Sequence, residues 1–156
     1  MLSDERQKGM INSCEFLGDT VLIAAAHGGK KAIVSLLLDR GADINIVGED
    51  NGTALAVAAY RGNQAIVSLL LDRGADINIV GGHYGTALGA AAFSGNEEIV
   101  SLLLYRGAAI NIVGGDYGSA LGAAAYSGQE AIVSLFVRHS PERSSSIHGV
   151  TYRLDF

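Results

Sequence analysis

Apolar positions return in the same order every 33 positions along most of this chain. Residues 52–84 read GTALAVAAYRGNQAIVSLLLDRGADINIVGGHY. Residues 85–117 read GTALGAAAFSGNEEIVSLLLYRGAAINIVGGDY, the same at 24 of 33 positions without a gap. A partial copy occupies 19–51, and a fourth opens at Gly118 and runs to 140. Self-similarity at this period is the signature of a solenoid, in which each unit packs only on its neighbours and the stack presents one long face.

Within a unit the pattern predicts two helices. The first covers 54–61, with Thr53 as N-cap; Thr20, Thr86 and Ser119 hold the same place. Its apolar residues are small, so neighbouring helices can approach closely. Gly62 is expected to turn the chain in the left-handed region, as are Gly29, Gly95 and Gly128. The second helix covers 64–73 and is apolar nearly all round, through Ile66, Val67, Leu69, Leu70 and Leu71, as a helix sandwiched between neighbours should be. Gly74 ends it, as Gly41 and Gly107 end theirs. The remaining ADINIVGGHY leads out and back as a turn or short hairpin. The fold class is all-α.

The ends break the pattern. Residues 1–18 lack it and predict a capping helix starting at Ser3-Asp4-Glu5, with Met10, Ile11, Cys14 and Leu17 on one face. After residue 136 the fourth unit departs from the repeat. Residues 141–156 form a tail, polar over 142–146 and strictly alternating over 150–156, which reads as a strand or as a tail that docks Val150, Tyr152, Leu154 and Phe156 on the last helix pair.

Composition narrows the function. A 49 % hydrophobic, 17 % charged chain is not disordered by composition. A net charge of −5 disfavours nucleic acid and anionic membranes. No apolar run reaches the roughly 18 residues of a membrane span, and the first residues lack an apolar signal core. The single cysteine, Cys14, permits no internal disulfide and reads as a buried structural thiol. The expected location is the cytosol or nucleus.

Two helices per repeat, AAxxG between them and IVxLLLxxGADIN through the second resemble the ankyrin repeat over about 19–140. The usual Thr-Pro-Leu-His start is replaced by Thr53-Ala-Leu-Ala, Thr86-Ala-Leu-Gly and Ser119-Ala-Leu-Gly, without the proline or the histidine. The GTALxAAAxxG style is similar to fungal ankyrin arrays, including those attached to NACHT-type nucleotide-binding receptors. No P-loop is present here. The resemblance implies a non-catalytic module that binds a protein partner through a concave groove and hairpin tips. The alternatives are a small-molecule-binding or catalytic use of the same groove, and a sensor fragment of a larger receptor. No cofactor or metal is implied.

Candidate binding residues follow from the copy-to-copy differences and the aromatics. Units two and three differ at Tyr60/Phe93, Arg61/Ser94 and His83/Asp116, which the resemblance assigns to the concave side. Tyr60, Phe93 and Tyr126 lie 33 apart, with His27 in the first unit's place; Tyr84 and Tyr117 form a second series. Tyrosine suits an interface, with a large rigid apolar ring and a polar tip. The candidate surface is therefore Tyr60, Arg61, His83, Tyr84, Phe93, Asp116, Tyr117 and Tyr126. As hairpin-tip residues, Tyr84 and Tyr117 are expected to add little to the core. Equivalent positions in successive units should lie about 10 Å apart, the helix packing distance. At that spacing His83 and Asp116 cannot share a metal, and hydrogen-bond only if the tips lean together. Arg40, Arg73 and Arg106 complement their helix C-termini, the serines of IVSLLL bond their own backbone, and Asp43, Asp76, Asn45, Asn78 and Asn111 hydrogen-bond the loops.

Overall fold

A computed structural model describes residues 4–12, 14–15 and 19–139. Nine helices and two short strands follow in order among them: α1 (Asp4–Asn12), β1 (Cys14–Glu15), β2 (Asp19–Thr20), α2 (Val21–His27), α3 (Lys31–Asp39), α4 (Ala54–Tyr60), α5 (Gln64–Asp72), α6 (Ala87–Ser94), α7 (Glu97–Tyr105), α8 (Ala120–Tyr126) and α9 (Glu130–His139). The expected tail strand at 150–156 lies outside the described residues.

The local rules hold. Thr20, Thr53, Thr86 and Ser119 each accept a hydrogen bond from the backbone N–H three residues on, at 3.0–3.3 Å, satisfying a donor that the first turn leaves open. Gly29, Gly62, Gly95 and Gly128 take φ between +69° and +80° and close the first helices. Arg61 and Arg73 fall at C-caps, one position beyond the last helical residue.

The first helices α2, α4, α6 and α8 stack in one row, and α3, α5 and α7 in a second. The first row approaches more closely, because its contacts are alanine and glycine: Ala58, Ala59, Ala91, Ala92 and Ala124 are fully buried. The second row is spaced by Ile66, Val67, Leu70, Ile99, Val100 and Leu103, all buried. Closer spacing on one side curves the stack, so the first helices line the concave side.

The N-terminal expectation needs correction. The helix ends at Asn12, so Cys14 is not on its face; Cys14–Glu15 pairs antiparallel with Asp19–Thr20 instead, and Leu17 lies outside the described residues. Met10 is exposed. The helix packs on α2, and its last residue serves the repeat: Asn12 Oδ1 accepts from the backbone N–H of Asp43 at 2.7 Å. Asn45 does the same for Asp76 at 2.8 Å and Asn78 for Ala109 at 2.9 Å. Asn12 stands one full repeat before Asn45, so the unit-to-unit ladder begins in α1.

Candidate functional site

The tips are built from backbone laid on backbone. Each is closed by one hydrogen bond across five residues: Gly48 N–H to Gly52 O (2.8 Å), Gly81 to Gly85 (2.8 Å) and Gly114 to Gly118 (3.0 Å). Successive tips then bond to each other, His83 N–H to Asp50 O at 3.1 Å and Asp116 N–H to His83 O at 2.7 Å. Only glycine permits this approach. A Cβ on Gly82 would lie 2.7 Å from Asp50 O, and one on Gly115 would lie 2.6 Å from His83 O.

The expected spacing of about 10 Å therefore fails at the tips, since it describes helix axes with side chains between them. His83 Nδ1 donates to Asp116 Oδ2 at 2.8 Å, and its Nε2 lies 3.7 Å from Asp50 Oδ1. Asp50, His83 and Asp116 occupy one position in three units and form a rail along the tips, each at least half exposed. Sequence reasoning missed Asp50, although the register that paired His83 with Asp116 also points one repeat back.

Behind the rail the two aromatic series merge. Ring centroids run Tyr60–Tyr84 4.8 Å, Tyr84–Phe93 4.8 Å, Phe93–Tyr117 5.2 Å and Tyr117–Tyr126 4.7 Å, a zigzag of helix ring and tip ring. These are stacking distances. Tyr126 is 72 % exposed and Tyr60 37 %; the three rings between them are half-buried. Tyr84 packs against the core, contrary to the expectation that tip residues add little. Desolvation, then a hydrogen bond to the Tyr60 hydroxyl and the neighbouring phenols and Asp116, push its ionisation well above the ordinary tyrosine range. Tyr117 is raised in the same sense, first by desolvation and then by Tyr126 and Asp116.

Close backbone approach explains a departure at the helix start. Gly89 and Gly122 replace Ala56 of the second unit, and a Cβ there would overlap the carbonyl oxygens of Tyr84 and Tyr117. The unit with Ala56 has Asn51 where the others have tyrosine. Arg61 is exposed at the end of α4 and joins neither the ring stack nor the rail. His27 and Asn51, at the first unit's ladder positions, line a small cavity of about 70 Å³ with Tyr60, His83 and Tyr84.

The opposite side is ionic. Arg73 reaches back to Asp39 at 2.8 Å and to Ser35 Oγ at 3.2 Å, and Arg106 reaches Asp72 at 3.0 Å. Arg73 and Arg106 occupy the C-cap positions of their helices, while their guanidiniums tie each unit to the one before it. Ser35 accepts from Arg73, so its contact is not confined to its own helix.

Among the described residues no helix is long and apolar enough to cross a membrane, and no group of three or more His, Cys, Asp or Glu could hold a metal ion. No curated protein matches the chain. Two family profiles do: the one described as ankyrin repeats (3 copies) over residues 2–81, and the one described as ankyrin repeat over 84–115. The first alone covers half of the chain, and with the paired helices, capped starts and stacked tips it makes this protein a member of the ankyrin repeat family.

Proposed function

We propose that the chain is a non-catalytic binding module that grips a protein partner on its concave side, with Tyr60, Tyr84, Phe93, Tyr117 and Tyr126 as anchors and the Asp50–His83–Asp116 rail at the edge. Ankyrin repeats are generally protein-interaction modules. The observation that carries the reading is the unbroken five-ring stack, exposed at both ends, on the side toward which the array curves. Aromatic residues carry much of the energy of protein interfaces. The small-molecule alternative is less well supported, because drug-sized ligands occupy about 300 Å³ or more and the cavity beside Tyr84 holds about 70 Å³. Catalysis finds little support in the His83–Asp116 pair: the third member of the rail is another carboxylate, not a nucleophile. The cytosol or nucleus is the proposed location, whether the array stands alone or serves a larger receptor.

The test is photo-crosslinking in cells with a benzophenone amino acid at Tyr60 or Tyr126, against Tyr105 on the second-row helix α7. A discrete partner crosslinked from Tyr60 and Tyr126 but not from Tyr105 is the expected result. The reverse pattern moves the site to the other side.

A further inference from the structure

Resting on that reading, we infer that the aromatic face takes an extended, β-like peptide segment with apolar side chains at alternate positions and a basic residue over the tip rail. The spacing of the rings carries the argument. Tyr60 to Phe93, Phe93 to Tyr126 and Tyr84 to Tyr117 are each 6.3 Å between centroids. A β-strand advances about 3.2–3.4 Å per residue, so side chains on one face recur every ~6.4–6.8 Å. Residues i, i+2 and i+4 of such a segment fall on three successive rungs.

Other conformations lose register. A polyproline helix returns to the same face every three residues, about 9.3 Å. An α-helix rises about 6 Å in four residues but turns about 40° off the line each time.

Charge supplies the second half. The rail holds two carboxylates to one imidazole, so it is anionic whether or not His83 carries a second proton. Glu49 is exposed beside Asp50. Arg73 and Arg106 are paired on the opposite side with Asp39 and Asp72. Arg61, at the far end of α4 from the tips, marks the other edge of the face. A lysine or arginine of the segment therefore belongs on the tip side.

The test pans a phage-displayed random dodecapeptide library on the full chain and titrates the enriched peptides calorimetrically. Expected winners are apolar at i, i+2 and i+4 with a flanking Lys or Arg. Tyr60→Ala with Tyr126→Ala should weaken them at least about tenfold, Asp116→Asn about threefold, and Tyr105→Ala not at all. Tyr60→Phe with Tyr126→Phe, which keeps the rings, should retain most of the binding and guards against a folding artefact. Winners that turn helical on binding, or show i, i+3, i+4 spacing while still needing Tyr60 and Tyr126, overturn the extended segment and leave the concave site standing. Winners indifferent to Asp116→Asn and free of basic residues overturn the charge assignment. Winners that lose affinity with Tyr105→Ala and not with the tyrosine pair overturn both this inference and the site.

Discussion

The concave and opposite sides of this array carry two ladders with the same period and different physics. On the concave side successive units touch through rings, Tyr84–Phe93 at 4.8 Å and Tyr117–Tyr126 at 4.7 Å. On the other side they touch through Arg73–Asp39 and Arg106–Asp72. The ring ladder extends to Tyr126 in the fourth unit. The ionic ladder stops one unit earlier, because Tyr105 stands where Asp39 and Asp72 stand and is 87 % exposed. The difference follows from energetics. Ring pairs contribute about 0.5–1.5 kcal/mol each beyond area burial, whereas exposed ion pairs contribute about 0–1 kcal/mol and are screened by salt. A repeat can lose a surface ion pair at small cost, but a missing ring leaves its neighbours bare.

The core beneath both ladders sets the scale for breaking the comparison. Leu70→Ala or Leu103→Ala, at fully buried positions, should cost about 2–5 kcal/mol in denaturant unfolding. A loss below about 1 kcal/mol, well under the range for a buried leucine, would mean that the units do not depend on one another.

A second experiment attacks the ring ladder through its backbone. Gly89→Ala or Gly122→Ala forces a methyl against the Tyr84 or Tyr117 carbonyl and should destabilise by about 1–3 kcal/mol, the range for overpacking. Ala56→Gly in the second unit, which has Asn51 in place of the tyrosine, should bring no matching gain.

Direct removal of a ring comes next. Tyr84→Ala breaks contacts with Tyr60, Phe93 and Tyr117 and should cost about 2 kcal/mol from ring pairs of about 0.5–1.5 kcal/mol each. A thermal melt that does not move would show the stack to be incidental to stability.

Alkali should loosen the same ladder more gently, since the rings stay in place. Tyr84 holds its proton more tightly folded than unfolded. Above about pH 10 the unfolded chain gives up this proton first, so stability present at neutral pH declines as pH rises further. Melting temperature should fall between pH 10 and 11, and Tyr84→Phe should flatten that fall. An unchanged slope in the variant would assign the effect to other groups.

The smallest effect belongs to the other side. Arg73→Ala should cost under about 1 kcal/mol in low salt and nearly nothing in about 1 M salt. A salt-insensitive loss above about 2 kcal/mol, beyond what an exposed ion pair supplies, would reverse the ranking of the two ladders.

Much of this architecture is legible in the chain itself. The helix pairs, the caps at Thr20, Thr53, Thr86 and Ser119, and the left-handed glycines follow from residue types at fixed offsets, because those choices are local. The members of both aromatic series are also readable from the repeat register. That they form one zigzag is not, since it depends on how far helix ends and tips lie from each other in space. Hydrophobic spacing alone gives the N-terminal helix no stop and carries it on to Cys14 and Leu17, while Asn12 ends it in a contact 31 residues away with Asp43.

The sequence by itself determined the repeat, the two helices in each unit, their caps and the identity of the surface rings, for these rest on short-range sterics and backbone hydrogen bonding. Only the tertiary structure decided that His83 meets Asp116 and Asp50, that Tyr84 packs against the core, and that the rungs stand 6.3 Å apart. Those distances arise where one unit settles on the next. There, missing side chains at Gly82 and Gly115 let backbones touch, and a periodicity along the chain does not state how closely its copies pack.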